Sequence, residues 1–147
     1  MQMERTGCGI ASAAAIAGVS YAKAKSAAAG LGIFATDERL WSESVCVRRL
    51  LNRFGFKTGL SEIPFRSWDS LPDLALLAIK WHQSKARAFW HWVVFVRDEK
   101  GARVLDSRKT LRSNIRTDFG RMKPRWYITV KAGARHGRES GGNIAIA

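Results

Sequence analysis

Three side chains in this sequence have the chemistry of a nucleophile, a base and a group that orients the base. Cys8 stands between two glycines at the start of an alanine-rich run. A helix that begins there presents unpaired N–H groups and the positive end of its dipole, which favour thiolate over thiol. We also expect the glycines to allow close packing and backbone dihedrals that other residues cannot reach. The alternative interpretation is that Cys8 is a small buried hydrophobic residue, as most cysteines are.

The histidine and the aspartate of this set lie on a predicted β-hairpin. His91 opens a strand-like run of aromatic and β-branched residues, Asp106 closes the next run, and the turn residues 98–101 lie between them. Paired antiparallel strands place the start of one beside the end of the other, so both side chains fall at the same end of the sheet. This is the layout that a nucleophile, its base and the orienting carboxylate need.

The same motifs resemble those of a known peptidase family. Gln2 precedes Cys8 by six positions, Cys-Gly opens the alanine-rich run, and His-Trp-Val-Val begins at His91. Leu-Asp-Ser follows, with Asp106 lying 15 positions after the histidine. The pattern resembles the papain-like cysteine peptidases of the double-glycine leader type, the bacteriocin-processing domains that are usually fused to ABC transporters. The likeness spans about residues 1–130.

This resemblance implies a papain-like fold and a role for each of four residues. Gln2 is the implied oxyanion-hole donor, and Cys8 is the implied nucleophile. His91 is then the base, and Asp106 orients it. The sequence departs from the family in two ways: Gly7 stands where an aspartate is common, and the 147 residues contain no transporter segment.

We therefore expect a stand-alone thiol hydrolase that cleaves a peptide or isopeptide bond in a peptide or protein substrate through an acyl-enzyme. The same machinery performs deamidation and acyl transfer, so these reactions stay open. The alternative function is that of a non-catalytic papain-like binding module whose basic surface holds nucleic acid or an acidic protein. Neither hypothesis calls for a cofactor, and no histidines, cysteines and carboxylates have the spacing of metal ligands.

Positive charge is the most distinctive feature of the composition. The chain has 25 Lys and Arg against 12 Asp and Glu, a net charge of +13. Such a surplus attracts nucleic acids and acidic proteins, but the basic residues are scattered and match no nucleic-acid-binding motif. We expect any such binding to be weak, nonspecific and sensitive to salt. The densest part, residues 103–125, is either a solvated face or one side of a groove for an acidic substrate.

Length and composition predict a single domain of the α+β class, in which N-terminal helices pack on an antiparallel sheet. We expect the papain-like domain to cover residues 1–131 and the Gly-, Arg- and Ser-rich residues 132–147 to form a flexible tail. The two cysteines do not make a disulfide framework. The sequence has no signal segment and no run of 18 apolar residues, which predicts a cytoplasmic protein without a membrane span. The oligomeric state is left open.

Three helices are predicted before the first strand. The first covers residues 8–17, the second covers residues 21–29 after a Ser20 cap, and the third begins after Ser42 or Ser44. The apolar residues expected to face inward from the third helix are Val45, Val47, Leu50, Leu51 and Phe54.

The strands are predicted to follow these helices. Residues 56–60 form a short strand, the continuous apolar run 74–81 predicts a buried central strand, and residues 126–130 close the sheet. Strand alternation places Trp90 and Trp92 together on the face opposite to the intervening histidine.

Two further residues with reactive side chains are assigned no chemistry. Cys46 falls on an apolar helical face, which predicts a core position. His82 lies at a strand end before a basic loop, which predicts an exposed side chain.

Overall fold

The computed structural model describes residues 7–84, 86–107 and 114–133. Within these ranges the chain forms five helices and seven strands. The helices are α1 (Cys8–Ala17), α2 (Tyr21–Gly30), α3 (Arg39–Ser42), α4 (Val45–Arg53) and α5 (Phe119–Met122). The strands are β1 (Phe56–Thr58), β2 (Ile63–Pro64), β3 (Leu74–Ser84), β4 (Arg87–Asp98), β5 (Gly101–Leu105), β6 (Ile115–Arg116) and β7 (Trp126–Ala132). Among the described residues, no helix has the length and hydropathy needed to cross a membrane.

The strands form one antiparallel sheet in the order β1-β7-β3-β4-β5-β6, and β2 also pairs with β7. Strand β3 lies at the centre, between β7 and β4, and Ala75 to Ile79 are buried along it. The predicted α+β class, with N-terminal helices and an antiparallel sheet, is therefore confirmed, and so is the buried central strand.

One face of the sheet packs against the helices. Trp92 of β4 is fully buried in this layer, and its indole N–H donates to the carbonyl of Leu40 at 2.7 Å. Trp90 and Trp126 meet it edge to face, with centroid distances of 5.7 and 5.2 Å. This is a favourable geometry for aromatic pairs, so the cluster fixes the first half of β4 beneath the helices, beside His91.

The other face of the sheet is covered by the connection before β3 and by α5. Trp68 of that connection packs on Phe95 of β4 and on Phe119 of α5, with ring centroids 5.9 and 4.8 Å apart. Both faces of the sheet are thus buried at its centre. This explains why the central strand is a continuous apolar run instead of an alternating one.

The helices largely follow the sequence. Gly18 ends α1 in the left-handed conformation with φ 72°, and the Ser20 side chain accepts a 3.1 Å hydrogen bond from the N–H of Lys23 at the start of α2. The sequence did not indicate the single turn of α3.

One residue of α4 was predicted wrongly. Val45 is 56% exposed, while Cys46 is buried. The inward stripe consists of two pairs four residues apart, Cys46 with Leu50 and Val47 with Leu51, and Val45 lies outside this stripe.

The last strand is longer than predicted. Strand β7 continues through Ala132, and the N–H of Gly133 donates to the carbonyl of Gly55 at 2.7 Å. The rest of the predicted tail, residues 134–147, lies outside the described residues.

Candidate active site

Helix α1 determines the position of the Cys8 thiol. Cys8 is its first residue and is 3% exposed. Its cap residue, Gly7, has no side chain that could accept from the first N–H groups of the helix, and these groups have no partner within the helix itself. The sulfur therefore lies at the positive end of the helix dipole, as predicted.

Neither of the two glycines uses an unusual backbone conformation, and Gly9 acts through its size. Gly7 has φ −81° and ψ 6°, and Gly9 lies within the helix, so the expected special dihedrals at these positions were wrong. The expected close approach is present at Gly9: a Cβ built there would lie 3.3 Å from both the side chain and the carbonyl oxygen of Leu40 and 3.5 Å from the ring of Trp92. The small residue lets the first turn of α1 lie directly on its neighbours.

Strand β4 positions the imidazole on a stretch of its edge with which β5 does not pair. Strand β5 pairs only with residues 94–98 of β4, so His91 lies beyond the end of that pairing. Helix α1 lies along this stretch: the hydroxyl of Ser12, one turn after Cys8, donates to the carbonyl of Trp92 at 3.4 Å. As predicted, the flanking tryptophans belong to the core layer beneath the helices, whereas His91 remains partly exposed.

The imidazole is bound by the predicted carboxylate. His91 Nε2 and Asp106 Oδ1 are 2.7 Å apart, and the side chains are 13% and 0% exposed. Because Nε2 is engaged by Asp106, Nδ1 is the ring nitrogen left to face Cys8, whose interaction with the ring raises the pKa of His91. The three predicted side chains thus lie together, with His91 bound to Asp106 and beside Cys8.

These contacts decide where the proton of His91 resides. Burial of the ring by itself lowers its pKa, but the hydrogen bonds to Asp106 and Cys8 and the negative charges of both groups outweigh burial and raise the pKa from 6.5 to about 9. The ring consequently carries its proton at neutral pH.

A second ion pair holds the carboxylate. Arg116 of β6 donates from Nη1 to Asp106 Oδ2 at 3.0 Å and binds both oxygens of Asp118, at 2.9 and 2.6 Å. The hydrogen bond from Arg116 holds the pKa of Asp118 at about 2, and the same bond, together with that to Asp106, raises the pKa of the guanidinium. We call this arrangement the Arg116 clamp.

The backbone of Asp106 is also fixed. Its N–H donates to the carbonyl of Asn114 at 2.7 Å, and the side-chain amide of Asn114 donates to its carbonyl at 2.6 Å. These bonds span the segment between β5 and β6, so the carboxylate is held by the sheet despite lying beyond the end of β5.

The structure therefore brings together Cys8, His91 and Asp106, and the fourth predicted residue, Gln2, lies outside the described residues. Sequence reasoning missed the Arg116 clamp, because it depends on the pairing of Arg116 with Val104 across β5 and β6. The only signal was the spacing of Arg116 and Asp118, which puts them on the same side of an extended segment.

Cys46 and His82 lie in the environments that the sequence predicts for them. Cys46 is 2% exposed, and its burial raises the pKa of its thiol, as expected of a core cysteine. His82 is exposed, as predicted. Within residues 7–84, 86–107 and 114–133, no three His, Cys, Asp or Glu side chains are grouped so that they could hold a metal ion.

Comparison of the chain with models of protein families, with curated proteins and with solved structures found no match.

Proposed function

We propose that this protein is a cysteine peptidase of papain-like fold that hydrolyses a peptide or isopeptide bond. The observation that carries the proposal is that Cys8 lies beside the His91 ring, which is bound in turn to Asp106 Oδ1. A nucleophile, a base in contact with it and a third group that orients the base are what covalent catalysis of acyl transfer requires. The resemblance of the sequence motifs to the double-glycine leader peptidases supports the same reaction.

The raised pKa of His91 suits the proposed cycle. The Cys8 thiolate attacks the substrate carbonyl carbon, and an S–C bond forms while the oxyanion is held by the Cys8 backbone N–H and the Gln2 side-chain amide. His91 gives its proton to the leaving nitrogen as the C–N bond breaks, which leaves a thioester and a neutral imidazole. His91 then takes a proton from water, whose oxygen attacks the thioester and releases the carboxylic acid, the thiolate and a protonated ring.

Burial favours this catalytic hypothesis over the binding module. The imidazole is largely buried, and it contacts a carboxylate that is fully buried and bound to a guanidinium. Desolvating such groups is expensive, and apolar residues of similar volume usually stabilise a core at least as well. A protein that used only its outer surface would gain nothing from this arrangement.

The proposal is tested by labelling the two thiols with a peptide vinyl sulfone at pH 7. Variants Cys46→Ala and Cys8→Ala each keep one cysteine. We expect the probe to attach to Cys8 at least 100-fold faster than to Cys46, because only Cys8 has an imidazolium beside it and the pKa of Cys46 is raised. His91→Ala should remove the fast labelling.

Turnover provides the second measurement. A fluorogenic peptide library should be hydrolysed by the wild type and by Cys46→Ala, but not by Cys8→Ala or His91→Ala. Equal labelling of the two thiols together with no hydrolysis contradicts the proposal. Salt-sensitive binding of DNA without labelling would favour the binding module instead.

A further inference from the structure

A cleft of about 780 Å³ opens along β3 and β7, and its lining does not include Cys8, His91 or Asp106. Strand β3 has a bulge between Ile79 and His82, where its register with β4 shifts, and the cleft lies where this bulge meets the start of β7 and the residues that precede β7. Its lining combines aromatic rings with cationic side chains, chiefly Lys80, Trp81, Lys123, Arg125 and Trp126. Trp81 and Trp126 also pack against the core, but neither the core nor the proposed reaction requires the cationic side chains beside them.

The two lysines are held in an unusual backbone conformation. Lys80 has φ 54° and Lys123 has φ 44°, in the left-handed region that residues other than glycine rarely adopt. Such a conformation is strained for residues other than glycine, and strained residues cluster at functional sites. Both side chains are exposed, and neither is in an ion pair with a carboxylate in the described part of the chain.

The guanidinium of Arg125 is positioned so that it can bind an anionic group. Arg125 stacks over the ring of Trp81, with its Cζ 3.9 Å from the ring centroid, and its backbone N–H donates to the carbonyl of Ala78 at 2.9 Å. Stacking occupies the flat face of a guanidinium and leaves its N–H edges available. Those edges match the two oxygens of a carboxylate, and a stacked side chain loses less freedom when it binds.

The register of the sheet gives the position of the cleft relative to His91. Ile79 of β3 pairs with His91, and Lys80 is the next residue. Trp126 of β7 pairs with Ala78 of the same strand. Neighbouring strands are about 4.8 Å apart, so the cleft begins about 5 to 10 Å from β4, on the side of β4 away from β5. Two to four residues of an extended peptide cover this distance from β4.

We propose that this cleft binds an acidic side chain of the peptide substrate, two to four residues from the bond that is cleaved. The inference rests on the proposed peptidase function and adds the charge of the substrate to it. The shape favours a peptide over a nucleic acid: a phosphate backbone needs a track of cations, whereas this cleft is a local cavity with the carboxylate of Glu62 in its lining.

The first test measures binding apart from catalysis. Fluorescein-labelled hexaglutamate is titrated into the full chain carrying Cys8→Ala, and the dissociation constant is obtained from fluorescence anisotropy. In this background, Lys123→Gln with Arg125→Gln should weaken binding about tenfold, since each exposed charge contact contributes up to about 1 kcal/mol.

The chain offers a control with the same change in net charge. Lys57 and Lys131 are exposed, pair across β1 and β7, and lie at the far end of β7 from the cleft. Replacing both with glutamine should change the dissociation constant less than twofold. The melting temperature of each variant shows whether it is folded, and Lys123→Asn, which tolerates the left-handed conformation, is the substitute if the double variant is not.

Three outcomes overturn the inference: equal weakening in the cleft and control variants, no hexaglutamate binding, or tighter binding of a 12-nucleotide oligo-dT that depends on the same cleft residues.

The substrate role is tested in the wild type with a positional peptide library. Cleavage should prefer Asp or Glu two to four residues from the scissile bond, and the cleft variant should lose that preference. Because hexaglutamate binding needs no nucleophile, its failure is distinguishable from a failure of the peptidase proposal, which appears as a lack of Cys8 labelling and hydrolysis.

Discussion

The two oxygens of the Asp106 carboxylate have different partners, and this decides how the group can act on His91. Oδ1 binds the imidazole at 2.7 Å, while Oδ2 binds Arg116 at 3.0 Å. A carboxylate held on one side only can rotate about its last side-chain bond, and the second contact fixes its plane. Arg116 is therefore a positioning residue, and Asp118, bound to the same guanidinium, orients it in turn.

The first prediction at this scale concerns Arg116→Gln. The variant leaves Oδ2 of a buried carboxylate without its cation, so we expect turnover on a peptide substrate to fall 10- to 100-fold, the usual effect of losing a group that orients a catalytic side chain. It also removes a positive charge close to the imidazole, so the pKa of His91 should rise above its value of about 9. Steady-state kinetics and NMR titration of the ring protons measure the two effects.

Arg103 provides the matched control for this variant. It binds Asp98 in a similar clamp, at 3.0 and 2.8 Å, but at the turn of the β4–β5 hairpin. Arg103→Gln makes the same change in charge and should alter neither turnover nor the titration of His91. If Arg116→Gln behaves like Arg103→Gln, the clamp has no role in positioning.

At the scale of the elements, the site depends on how closely α1 approaches the start of β4. The contact is possible because β5 stops pairing with β4 at Val94 and because Gly9 has no side chain between the helix and Leu40. The carbonyl that a Cβ at Gly9 would press upon is the acceptor for the indole of Trp92. The geometry of the site and the packing of the core therefore depend on the same carbonyl.

Gly9→Ala should separate the thiol from the imidazole. Alanine favours a helix over glycine by about 1 kcal/mol, but here its methyl group meets Leu40 at 3.3 Å, and overpacking costs about 1 to 3 kcal/mol. We expect a small net loss of stability and at least a tenfold loss of turnover, since small displacements of reacting groups are costly.

Gly30→Ala is the control for that substitution. Gly30 ends α2, and a methyl group there would have no neighbour within 4 Å, so the same exchange should leave turnover unchanged and not lower the free energy of unfolding in urea. Equal turnover in the two variants would mean that the position of α1 is not set by this contact.

These elements also show which parts of the site a sequence can predict. The helix at Cys8, the hairpin with His91 and Asp106, and the buried central strand follow from local signals: caps, turn residues and apolar runs. The Arg116 clamp, the bulge of β3 and the exposure of Val45 do not, because they are set by strand register and by which helical face meets the core. Such features depend on contacts between residues that are distant in the sequence.

At the scale of the whole molecule, the net charge of +13 acts against the compact state through self-repulsion. The carboxylates of Asp37, Asp98 and Asp118 offset it locally, since each is bound by an arginine that lowers its pKa. Because the net charge becomes less positive as the pH rises, this general repulsion should weaken towards alkaline pH. A contribution to stability that decreases as the pH rises therefore cannot come from this repulsion and can be assigned to a particular group.

His91 is that group. In the unfolded chain its pKa is about 6.5, and in the folded protein it is about 9, so between these values the folded state binds more protons. Its contribution to the free energy of unfolding is then complete below pH 6.5 and is lost as the pH rises through 9. The shift corresponds to about 3 kcal/mol at most.

We expect urea unfolding of the wild type and of His91→Gln, measured from pH 6 to 9.5, to give a difference in the free energy of unfolding that shrinks by about 3 kcal/mol over this range. Asp106→Asn, which removes the strongest hydrogen bond that holds the proton, should flatten the profile in the same way. A difference between wild type and His91→Gln that stays constant with pH would show that His91 is neutral in the resting protein, and its proton could not then be the one delivered to the leaving nitrogen.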